Sequence, residues 1–227
     1  VIQKLQQVRI FRYAFGITLA MAIAQGFGWT LSYLVPVLLL SFLAPPALPL
    51  SFKEGVKFIF VIVISVYFGL FFVDLIAYPL VFVPLMFLVF LLLFYAKESI
   101  IPAGLRTWIL ISVVLIPMMA LTSQNLSVLI ADILVLDAVV AVLIAWVVFA
   151  IVPNPKGSEL LIEAAVQKQT QALSEKERFA NALEVTAVFY PVLLLFFLFQ
   201  LTDYLIILIF IVILSGMPAA SKNFKVG

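Results

Sequence analysis

Apolar runs broken by short polar interruptions set the layout of this chain. Runs at residues 13–27, 31–44, 58–78, 80–95, 107–120, 128–152, 185–201 and 205–217 carry almost no charge. A helix needs about 20 apolar residues to cross a hydrocarbon core of about 30 Å. The pattern therefore predicts an all-α, polytopic membrane protein of about eight transmembrane helices. Some runs fall short of a full crossing. The first two meet at Gly26, Phe27 and Gly28, and the second carries Pro36 and ends on Pro45 and Pro46. Gly26, Gly28 and Pro36 are thus candidate helix breaks. Such segments read either as discontinuous helices lining a cavity or as helices extended into polar flanks with a tolerated proline.

One long polar stretch, residues 153–184, interrupts the pattern. Pro153, Asn154 and Pro155 should end the sixth helix. Leu160, Leu161, Ala164, Ala165, Ala172 and Leu173 then form a rough helical stripe among Glu, Gln and Lys. Ser174 followed by Glu177 fits a capping box, so a helix should start at Glu175 and run into the seventh span. The expected organisation is a first transmembrane unit of six spans at 1–152, a cytoplasmic helical connector at 153–184, and the start of a second unit at 185–227. The connector reads as a solvated link, or as a lipid-surface helix or partner dock.

Charge then orients the spans. All 13 basic residues, from Lys4, Arg9 and Arg12 to Lys222 and Lys225, fall on one side of the eight-span layout. The opposite connections hold none. By the positive-inside rule that side is cytoplasmic, with both chain ends on it. Composition agrees: 66% of residues are hydrophobic and 11% charged, with mean hydropathy +1.30, against about 25% charged in a soluble domain. A net charge of +2 gives no nucleic-acid partner. The chain has no Cys and no His, which removes disulfides, thiol chemistry and His-ligated metals. No cofactor and no metal are expected.

The two outer hairpins resemble each other. Arg12, Tyr13 and Ala14 open the first, and Arg178, Phe179 and Ala180 open the last. Tyr33 and Tyr204 begin the short second helix of each. Both copies begin inside, so this reads as a parallel internal repeat, a common device in transporters. The second copy ends after its first hairpin, so the second half is expected to be truncated and the chain to be part of a longer protein.

The opening RYAFGITLAMAIAQGFGWTLSYLVPVLLLSFLAPP resembles the first hairpin of the fusaric acid resistance and aromatic acid exporter superfamily (FUSC-like proteins) at Arg12, Ala14, Gly16, Ala20, Gly28, Trp29, Pro36 and Leu38 to Leu40. The resemblance is closest over residues 9–57. It implies a multi-pass protein of the bacterial inner membrane that exports small, often aromatic or weakly acidic compounds. A homo-oligomer joined to a periplasmic membrane-fusion adaptor is implied with it.

Acidic residues inside spans are the sharpest chemical signal, because charge in hydrocarbon is expensive and usually functional. Asp137 lies mid-span, Asp132 is in the same span, and Asp74 is near the outer end of the third; Asp203 is at the last external turn. No Lys, Arg or His lies at their depth. Burial without a counter-charge favours the protonated carboxyl, as proton-coupled transport requires. Asp137, Asp132 and Asp74 are therefore the transport and proton-coupling candidates, although each also reads as a hydrogen-bonded or interfacial acid. Asp132 and Asp137 stand roughly 140° apart around a helix and need not share a pocket. Thr122, Ser123, Gln124, Asn125 and Ser127 form either an external loop or the mouth of a path. Trp29, Tyr33, Tyr78, Tyr95 and Trp108 fall at expected membrane interfaces. An enzyme is not expected: Pro46, Ala47 and Leu48 match one intramembrane aspartyl protease motif, but the companion Gly-x-Gly-Asp is absent. The alternative to an efflux transporter is a passive channel or a structural membrane-assembly subunit.

Overall fold

Helix ends are set by backbone chemistry that a hydropathy profile does not see. A computed structural model describes residues 2–29, 31–43, 49–97, 100–101, 103–155 and 174–201, with Ile207 and Ile211. Every regular element among these is an α-helix: α1 (Ile2–Gly26), α2 (Leu34–Leu43), α3 (Phe52–Leu75), α4 (Pro79–Tyr95), α5 (Ala103–Ala120), α6 (Gln124–Ile151) and α7 (Glu175–Leu198). Three of them, Phe52–Leu75, Gln124–Ile151 and Glu175–Leu198, are long and apolar enough to cross a membrane. The chain is thus consistent with a helical membrane protein. The stripe expected at 160–173, Asp203, and the eighth span apart from Ile207 and Ile211 lie outside the described residues.

Capping boxes start two of the long helices. Ser174 Oγ accepts the Glu177 N–H at 3.3 Å while Glu177 Oε2 accepts the Ser174 N–H at 3.1 Å, and α7 begins at Glu175 as the sequence predicts. A second box, Ser51 with Glu54 (2.9 and 3.3 Å), starts α3 at Phe52, well before the apolar run at 58. Each box satisfies backbone donors that a helix start leaves open. Pro79 opens α4 at its first position, where the missing N–H costs nothing.

The glycines of the first hairpin end α1. The Gly28 N–H bonds the Gln25 carbonyl at 3.0 Å and the Trp29 N–H bonds the Ala24 carbonyl at 3.1 Å. This Schellman motif needs a left-handed residue, and Gly28 supplies it at φ 65°. Pro36 lies in the first turn of α2, where proline is tolerated. Helix α2 has 10 residues, about 15 Å at the α-helical rise and half the depth of a hydrocarbon core. The same motif closes α7, with Leu201 N–H bonding Phe196 carbonyl at 3.0 Å and Gln200 left-handed at φ 51°.

The chain forms two compact units, each built from non-contiguous stretches. One comprises Val1–Val63 and Ile133–Gln171, the other Ile64–Asp132 and Ala172–Gly227. In the first unit α1 packs on α2. The Trp146 indole donates to the Leu50 carbonyl at 3.1 Å and stacks on Phe52 at 5.4 Å, tying α6 to the start of α3.

In the second unit α4 packs along α7 through an aromatic ladder. Phe82 meets Phe197, Phe87 meets Tyr190, Phe90 and Phe94 meet Phe189, and Tyr95 meets Phe179. Within this apolar seam Tyr190 donates its hydroxyl to the Val83 carbonyl, so the phenol is not left unpaired. Trp108 is 2% exposed and belongs to the core of this unit. Helix α3 lies so close to α5 that a Cβ on Gly69 would stand 2.8 Å from the Ser112 carbonyl oxygen. Backbone cannot yield as a side-chain end does. Gly69→Val is therefore expected to destabilise the protein by about 2 kcal/mol through overpacking, read as a lower melting temperature in detergent; an unchanged melt would contradict this contact.

Candidate functional site

Asp137 lies at the midpoint of α6, on the face that this helix buries. Leu134, Ala138, Ala141, Ala145 and Val148 recur along that face at helical spacing, each no more than 1% exposed. The three alanines among them are small enough to let neighbouring helices approach closely. Asp137 itself is 1% exposed, and its Oδ2 is buried with no hydrogen-bond partner. No ion pair to it is present among the described residues. Such an acid costs several kcal/mol when ionised and much less once it takes up a proton.

The same unit holds a buried cation at the end of α6. Arg12 of α1 is 1% exposed. Its Nε and Nη2 donate to the Val152 carbonyl at 3.1 and 2.6 Å, and Nη2 also reaches Asn154 Oδ1 at 2.8 Å. Its guanidinium lies 4.3 Å from the centroid of the Phe149 ring. A cation here complements the negative end of the α6 dipole and satisfies a carbonyl released where Pro153 stops the helix.

A different constellation occupies the second unit. The last turns of α3 and the first turn of α6 border an open recess of about 320 Å³, lined by Tyr67, Phe71, Asp74, Gln124 and Ser127 among others. Its polar residues come from two segments distant in the sequence, Asp74 from α3 and Gln124 with Ser127 from α6. The turn between α5 and α6 is confined to residues 121–123, so Gln124, Asn125 and Ser127 already belong to α6. The Ser123 carbonyl accepts from the N–H groups of Leu126 and Ser127, which fixes that start. Asp74 is exposed and lines the recess; Asp132 is exposed on α6 and does not.

Among the sequence candidates, Asp74 alone is brought together with other polar side chains. Asp137 is isolated by burial. Gly26 is the last residue of α1, and Gly28 and Pro36 shape the first hairpin, away from any polar cluster. Sequence reasoning passed over Arg12 as a packing group, Trp146 and Tyr190. Tyr190 had a signal: a phenol beside Pro191 in an apolar run must find an acceptor. Arg12 and Trp146 had none, because their partners are 140 and 96 residues away.

No curated protein and no solved structure matches the chain. The chain belongs to the family described as Protein of unknown function (DUF2955), whose model matches residues 9–148, more than half of its 227 residues.

Proposed function

We propose that this protein is a subunit of an inner-membrane efflux transporter of the FUSC-like kind, exporting small aromatic or weakly acidic compounds and coupled to protons through Asp137. The observation that carries this reading is the buried Asp137 carboxyl, with Oδ2 unpaired at the centre of a helix long enough to cross a membrane. An intramembrane acid of this kind marks a proton or substrate pathway. Protonation from outside and release inside would bias two access states through one change of charge. The resemblance over residues 9–57 supplies the substrate class, the oligomer and the periplasmic adaptor. The test is transport of aromatic acids by the reconstituted full-length protein: flux should follow an imposed pH gradient. Flux indifferent to the gradient would favour the passive channel.

The proposed topology has eight crossings with both ends cytoplasmic, following the one-sided distribution of Lys and Arg. The absence of Cys makes single-cysteine labelling clean. An impermeant reagent should label Ser123→Cys from outside and Ser174→Cys only after permeabilisation. Labelling of both from the same side would end the eight-span layout.

A further inference from the structure

We propose that the recess between the end of α3 and the start of α6 in the second unit binds a small organic amine, a cationic nitrogen with N–H donors on an aromatic or apolar body. The recess, about 320 Å³, falls at the lower end of small-molecule sites. Its walls divide into two kinds. Tyr67 and Phe71 are 68% and 49% exposed and present ring surface, and Leu70, Val73 and Val128 add apolar area. Aromatic faces attract cations as well as flat apolar bodies.

The polar wall sets the sign of the ligand. Asp74 is the one charged residue of the lining, and no described residue makes an ion pair or hydrogen bond with it. Among the described residues, nothing therefore competes with an incoming group for its carboxylate. The Ser127 hydroxyl donates to the Gln124 carbonyl at 2.7 Å, so its donor is committed and only acceptor capacity remains at this wall. The basic residues described in this unit, Lys97, Arg106, Lys176 and Arg178, lie outside the lining. An acceptor-rich pocket with one net negative charge and aromatic walls suits an ammonium group and repels a carboxylate. The opening of α6 contributes helix-terminal N–H groups of opposite preference, so the charge of the ligand is the point to test. The ligand class differs from the acids proposed for export. Equilibrium binding at this recess is independent of the role of Asp137 in export.

Three probes with one ring and different charge decide it: phenethylamine, phenylacetate and 2-phenylethanol. Binding is measured calorimetrically on the full-length protein in zwitterionic nanodiscs, with empty nanodiscs subtracted. Phenethylamine should bind at least about tenfold more tightly than phenylacetate, a gap of about 1.4 kcal/mol. Asp74→Asn should remove that preference while leaving 2-phenylethanol unaffected, and Phe71→Ala should weaken the amine and the alcohol alike. Glu184→Gln, the same charge change at an exposed site elsewhere in this unit, should change nothing. Phenylacetate binding as tightly as the amine, an unaltered amine affinity in Asp74→Asn, or no saturable amine binding to protein with a normal melt would each overturn the proposal.

Discussion

Arg12→Ala is expected to cost about 2–4 kcal/mol of stability and to leave little folded protein after extraction. The side chain is 1% exposed, and its three hydrogen bonds, to Val152 and Asn154, are charge-assisted, each kind being worth about 1.5–3 kcal/mol. Removing it strips the α6 terminus of its counter-charge and opens a void beside Phe149. Arg12→Lys separates these contributions. An ammonium keeps the charge but cannot fork to two acceptors or stack flat on a ring, so it should recover about half the loss. Thermal melts of the purified variants in one detergent measure both. Wild-type melting in Arg12→Ala would show that the contact with α6 contributes nothing.

Asp137→Asn should separate stability from function. The amide matches the carboxylate in volume and carries no charge, so replacing a buried acid whose Oδ2 is unpaired is expected to hold stability level or raise it by up to about 1 kcal/mol. Residues that destabilise their own fold are retained for activity, and their replacement commonly trades one for the other. The same variant should lose proton-driven export altogether, because an amide has no proton to give up in the relevant range. A large stability loss in Asp137→Asn would instead mark the acid as a structural hydrogen-bond partner.

Much of the helical layout was legible because it follows from local rules. Apolar runs located α1 and α3 to α7, Ser174 and Glu177 marked the start of α7, and Pro153 marked the end of α6. The start of α3 was missed for a physical reason. The Ser51–Glu54 box carries the helix through Lys53, Glu54 and Lys57, which hydropathy counts as outside the span. Within the second apolar run the described helix covers Leu34–Leu43, because residues 31–33 form a turn after Gly28. Asp137 stood out because a charge in an apolar run is rare whatever surrounds it. The recess at Asp74 could not be read, because it depends on how the end of α3 meets the start of α6, which local pattern does not encode. Arg12 on Val152 and Tyr190 on Val83 were hidden likewise, being contacts between helices far apart in the chain.

The most direct test of the central claim is flux of aromatic acids into or out of proteoliposomes holding full-length wild type or Asp137→Asn, with and without an imposed pH gradient. The expected result is gradient-driven flux in the wild type, none above protein-free vesicles in Asp137→Asn, and equal amounts of folded protein in both. Gradient-driven flux at wild-type rate in Asp137→Asn would contradict the role assigned to this carboxyl.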